Sequence, residues 1–340
     1  MKHLFTRRAV MAGLTALGVI AGTIGTAAAA DKITVGALRF TSHAGGFVAF
    51  EKGYFAEQGL EVEFKFFQAA QPMAVAIASG DVDFGVTSIT GGLVNLANKG
   101  AVKVIGGVLQ EEKGIDGSAI LVSTAAYEAG LTSPDKLAGH SLGITQIGSS
   151  FHYMASQVAA KEGFDISKIS LKPLQKVGAI IGALKSSQID AMIIVPHIAK
   201  PLSKSGAAKI IGWIGDYDDY QVTTAFTSAK NAAERPELVK KFVAAYARGA
   251  ADFNAAMVDK TKGDAAIEEM TRLIHKYVYT SRPFEKAAPS IKNGAMRLQP
   301  DLKLNLTNVK KQLAWFQSEG LVGKDISIDT LVDTQFVETY

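Results

Sequence analysis

From Lys32 to Trp213, short apolar runs of strand length alternate with segments of helical period, which restricts the chain to one broad class of fold. Strands that alternate with helices build a mostly parallel sheet whose faces the helices cover. Residues 32–38 read as the first strand, and residues 46–52 as a short helix closed at Gly53. Residues 60–66 set Leu, Val, Phe and Phe against Glu, Glu and Lys, the period of a half-buried strand. Pro72 suits the first position of a helix that ends at Gly80. Residues 83–87 and 102–108 complete a first set of strands.

A second set opens near Gly117. Residues 118–122, 141–145, 169–173, 191–195 and 209–214 read as strands, with helices over 150–162, 177–186 and 198–205. Residues 223–227 are strand-like again, and a long helix opens at Pro236. Its apolar positions Leu238, Val239, Phe242, Val243, Tyr246, Ala250, Phe253 and Met257 recur every three or four residues. Helices over 265–277, 283–294 and 307–319 fill the C-terminal third. The expectation is an α/β protein of two lobes, residues 31–110 plus 215–340 and residues 111–214. The hinge strands fall near 108–111 and 211–215. Ligands of such sheets sit at the carboxyl ends of the strands, where helix N-termini converge.

The first thirty residues bear on where the chain works. Lys2, Arg7 and Arg8 stand with no acidic residue before a weakly apolar run that ends in four alanines, 27–30. That is the pattern of a secretory signal peptide cleaved near Ala30, so the mature protein is expected in the periplasm. Thr6 to Met11 also resembles the twin-arginine signal, which leaves the export route open. The alternative is an uncleaved anchor, but the glycines and threonines of this stretch make a poor span. No later apolar run approaches membrane length.

Loss of those three basic residues takes the formal charge from +4 to nearly neutral. A balanced surface argues against nucleic acid as a partner, because phosphate binding needs a concentrated basic patch. The chain has no cysteine, which excludes disulfides, a thiolate nucleophile and a Cys-ligated metal.

Four motifs stand in register along the chain. Residues 49–62 read AFEKGYFAEQGLEV, residues 76–85 read AIASGDVDFG, and residues 137–144 read LAGHSLGI. The fourth is Gly182-Ala183-Leu184 with Ile189-Asp190-Ala191, where Ser187 stands in the place of a usual glycine. Together they resemble the nitrate/sulfonate/taurine (bicarbonate) family of periplasmic substrate-binding proteins of ABC importers. The resemblance runs roughly from Ile33 to Met257 and implies a type II, Venus-flytrap periplasmic binding protein without enzymatic activity. It also implies a monomer that hands its solute to a membrane permease and ATPase. Two other classes share the fold. One is a periplasmic ligand sensor. The other comprises pyrimidine-precursor binding proteins or enzymes, whose cysteine-rich motif this chain lacks.

Four loops follow expected strands and precede expected helices, the geometry that aims backbone N–H groups at an anion. The first holds Arg39, Phe40, Thr41, Ser42 and His43. The second holds Phe67, Gln68 and Gln71, and the third Thr87 and Ser88. From the other lobe come Gln146, Gly148, Ser149, Ser150 and His152, with Pro196 and His197 as a fifth wall. In the family resembled, hydroxyls, amides and helix N-termini of corresponding loops surround an oxyanion. His43, His152 and His197 are candidate donors or ordinary caps, and without an i, i+4 pair they form a weak metal site. Arg39 is an anion clamp or a surface charge. The aromatic residues Phe40, Phe67, Phe151 and Tyr153 favour an organic anion over nitrate. No cofactor is expected.

Overall fold

The structure, a computed structural model, describes residues 29–340. The signal segment expected over residues 1–30 therefore lies, but for its last two residues, outside the described residues. Among the described residues no helix is long and apolar enough to cross a membrane.

Ten strands form two sheets. In chain order they are β1 Asp31–Ala37, β2 Leu60–Phe66, β3 Phe84–Thr87, β4 Val102–Gln110, β5 Ala119–Ser123, β6 Ser141–Ile144, β7 Ser170–Pro173, β8 Ala191–Ile194, β9 Ala208–Trp213 and β10 Gln221–Ser228. The first sheet runs β2-β1-β3-β10-β4 and the second β7-β6-β8-β5-β9, so the two follow one winding order. β1 pairs in parallel with β2, Asp31 opposite Leu60, and with β3. β10 is antiparallel to both of its neighbours, and so is β5 in the second sheet.

The reversed strands have a simple cause. A strand reached through a covering helix must run parallel to the one before it. β5 and β10 are reached instead by direct crossings between the sheets, after Gln110 and after Trp213. Each starts at the cleft, where the other strands end, and runs away from it. Hydroxyl residues at the start of β5 and β10 are thereby delivered to the cleft.

Burial of apolar side chains supplies the core. Phe84 stacks on Phe242 with ring centroids 4.1 Å apart, and Phe47 stacks on Tyr277 at 4.5 Å. Helix Pro236–Phe253 lies against helix Ala44–Glu51. Gly249 permits their close approach, since a Cβ there would collide with the carbonyl oxygen of Gly45 and stand 2.7 Å from the nitrogen of Ala49. The helix expected to open at Pro72 begins earlier, at Ala70, which leaves Pro72 inside the first turn where its missing N–H costs nothing.

The return crossing is fixed by amides. The Gln221 side chain donates to the carbonyls of Leu109 and Thr223, and its backbone N–H donates to Asn308 Oδ1 at 3.0 Å. Asp218 accepts from Tyr153 of the second lobe and from Lys311 of the first.

Candidate functional site

Between the sheets lies a cavity of about 50 Å³. From the first lobe come Phe40, Ser42, His43, Thr87, Ser88 and Thr223, and from the second Ser118, Thr145, Ser149 and Ser150. Phe151, one of the aromatic residues noted in the sequence, joins Leu38, Leu109, Met154, Val195 and other aliphatic side chains in an apolar shell. Among the described residues no Lys, Arg, Asp or Glu lines it.

Polarisation comes instead from the backbone. Helices Ala70–Ala78, Ser150–Lys161 and Val177–Lys185 all begin at this cavity, and none has a side chain capping its first turn. Capping is used elsewhere in the chain, where Thr90, Ser123 and Ser228 each accept from a backbone N–H of the helix that follows. An uncapped N-terminus carries unpaired N–H groups and a partial positive charge of roughly half a unit. Three of them on one cavity favour an anion without any cationic side chain.

Two hydroxyls sharpen this picture. Ser149 occupies an N-cap position, yet its Oγ makes no capping bond and is buried with no hydrogen-bond partner among the described residues. Thr223 Oγ1, at the start of β10, is in the same condition. Their residues are 2% and 5% exposed, one in each lobe, and both face the cavity. A buried hydroxyl without a partner costs about 1–3 kcal/mol, which an acceptor placed between the two would relieve.

His43 is the third polar group. Its Nδ1 accepts from the N–H of Leu38 at 3.5 Å, which puts the ring proton on Nε2. Burial holds its pKa down at about 3, so it stays neutral, with Nε2–H as its one ring donor.

The structure places the remaining expected site residues around this cavity rather than in its wall. Arg39, Phe67 and Gln68 line an adjoining groove, where the Arg39 guanidinium stacks 3.8 Å over Phe66 and donates to the carbonyl of Tyr277. Gln71 accepts from the Thr90 hydroxyl at 2.6 Å. Thr41 donates to the carbonyl of Gly294 and meets His197 Nδ1 at 3.0 Å, a contact across the lobes. His197 is also held near pKa 3, chiefly by burial and further by His43. Gly148 accepts from the N–H of Gly91 on the opposite lobe, and its own N–H donates to His152, which lies edge-on to Trp315. The Gln146 carbonyl accepts from the N–H of Ser149, and Pro196 opens helix Pro196–Lys204. Sequence reading missed Ser118, Thr145 and Thr223. The signal for Ser118 and Thr223 was a hydroxyl at the start of a strand reached without a helix. Among the described residues no group of His, Asp or Glu is placed to hold a metal ion.

Beneath the cavity Glu111 is fully buried, and both of its carboxylate oxygens accept from the N–H of Ser118 at 3.1 Å. Burial pushes its pKa up to about 6, against the opposing pull of the Ser118 bonds. A raised carboxyl pKa means that the folded state holds the proton more tightly. Its stabilising effect is complete below the usual value of 4.5 and is lost as pH rises through 6. The loss amounts to about 2 kcal/mol. In chemical denaturation from pH 4 to 7, Glu111→Gln is expected to remove that decline; parallel curves for the two proteins would refute it.

The family model described as NMT1/THI5 like matches residues 40–256. Among solved structures, the alkanesulfonate-binding protein SsuA of Xanthomonas axonopodis pv. citri, bound to MOPS, is 18% identical. It superposes with a TM-score of 0.71 over 91% of this chain and 100% of that one. The periplasmic aliphatic sulphonate-binding protein SsuA of Escherichia coli is 15% identical, with a TM-score of 0.69 over 89% and 92%. The periplasmic nitrate-binding protein NrtA of Synechocystis PCC 6803 gives 15% and 0.69 over 88% and 84%. All three are binding proteins, and at these identities the likeness is one of fold. No curated protein sequence matches the chain.

Proposed function

Because the chain belongs to the NMT1/THI5-like family, we propose that it is an extracytoplasmic solute-binding protein of an ABC importer. It captures a small organic anion by closure of its two lobes and delivers it unaltered to a membrane permease. The observation that carries this reading is the pair of unpartnered hydroxyls, Ser149 Oγ and Thr223 Oγ1, facing one cavity from opposite lobes beside three uncapped helix N-termini. A ligand that accepts from both lobes at once stabilises the closed form because only that form presents all the donors together. The basic, alanine-terminated leader supports export to the periplasm. The sulfonate- and nitrate-binding proteins of like fold support an oxyanion head group, and the apolar shell of the cavity supports an organic one.

The test is mass spectrometry of co-purified solute followed by thermal shifts with sulfonates, carboxylates and nitrate. At a hundredfold excess over Kd, a true ligand adds about 2.7 kcal/mol, several degrees in melting temperature. Stabilisation by neutral or cationic solutes and by no anion, or a solute returned chemically altered, would overturn the reading.

A further inference from the structure

A second space adjoins the cavity. A groove of about 340 Å³ shares Leu38, Phe40 and Val177 with it. Phe66 and Phe67 form its wall on the first lobe, and Ile181 and Ile198 its wall on the second. All four side chains are half-buried, packed against the core on one side and open on the other. Phe40 stands at the junction, edge-on to His43 and His197 at 6.1 and 5.3 Å between ring centroids. Among the described residues the one charged side chain of the groove is already engaged, since Arg39 lies on the Phe66 ring and bonds the Tyr277 carbonyl.

We propose that this groove is a subsite for the apolar body of the ligand. On this assignment the solute is an amphipathic organic anion. Its oxyanion head sits in the inner cavity and its hydrocarbon part lies between Phe66–Phe67 and Ile181–Ile198. The inference rests on the reading of the inner cavity as an anion cradle. Three observations point to one elongated occupant. The two spaces share three wall residues, the unpartnered Ser149 and Thr223 hydroxyls both face the inner one, and the inner space alone is too small for a ring. A cavity of roughly 150 Å³ holds benzene, and the groove is larger than that whereas the inner cavity is smaller. A hydrocarbon body here would remove apolar surface of both lobes from water at once, so the body as well as the head favours closure.

Titration calorimetry with methane-, butane- and octane-1-sulfonate, and with carboxylates of matching length, tests this directly. Affinity should rise about fourfold per methylene until the groove fills. Gly178, on the first turn of helix Val177–Lys185, lines the groove, and a Cβ there would meet nothing within 4 Å. Gly178→Leu therefore fits the fold, improves helix propensity and fills the groove. It should collapse the ratio of octane- to methanesulfonate affinity towards one. Equal affinity at every chain length in the unaltered protein would overturn the subsite while leaving the cradle standing. A ratio that survives Gly178→Leu would overturn its placement here. Failure of every sulfonate and carboxylate to bind would overturn the cradle and the subsite together.

Discussion

Ser149→Ala combined with Thr223→Val will weaken anion binding by at least about two orders of magnitude and will leave the melting temperature of the empty protein within a few degrees of its value. Neither hydroxyl bonds another protein group among the described residues, so removing it breaks no bond that holds the fold. Ser149 makes no capping bond, so alanine loses none of the usual N-cap stabilisation. With an anion present each hydroxyl matters, because a hydrogen bond to a charged acceptor contributes about 1.5–3 kcal/mol. Two such bonds lost correspond to at least a hundredfold in Kd. Calorimetry and thermal melts of the single and double variants give both numbers. Unchanged affinity, or a melting temperature lowered by many degrees in the empty double variant, would count against the cradle.

Gly294→Val will reduce affinity by about a hundredfold without touching the cavity. The lobes meet here through the Thr41 contact with His197, the Tyr279 hydroxyl donating to the His197 carbonyl at 2.7 Å, and Lys200 donating to the carbonyl of Asn293 at 2.7 Å. Gly294 faces His197, and a Cβ at this position would lie inside the contact radii of the His197 Cα and Cβ. Overpacking of this kind typically costs 1–3 kcal/mol. Here the cost falls on the closed arrangement alone, because the lobes can part to relieve it. Small-angle scattering should show a larger radius of gyration for the variant, with little contraction on ligand addition. Closure and affinity like those of the unaltered protein would show that this edge does not control the approach of the lobes.

The alternation of strand and helix was legible in the sequence because local periodicity reports which face of each element is buried. The long helix from Pro236 appears with Leu238, Phe242 and Phe253 all buried, as their spacing implies. Strand direction was not legible. The run at Thr223 announces a strand but not that it enters from the cleft, which is a property of the crossing and not of the residues. That is why Thr223 and Ser118 escaped notice as cavity residues. The histidines illustrate a second limit. Spacing placed His152 and His197 just beyond strand ends, but whether such a side chain faces solute or the other lobe depends on the docking of whole lobes. Arg39 was equally ambiguous, and its stacking on Phe66 needs a residue 27 positions away whose nearness only the β1–β2 pairing creates.

The matched winding of the two sheets has a mechanical consequence. Both crossings leave from the β4–β10 side of one sheet and the β5–β9 side of the other, so that side acts as the spine of a book. The strands β2 and β7 lie at the opposite margins, and from them spring Phe67 and the helix that carries Ile181. A slight turn about the spine is magnified by leverage at this outer lip. For a given rotation the lip therefore opens wider than any other part of the cleft.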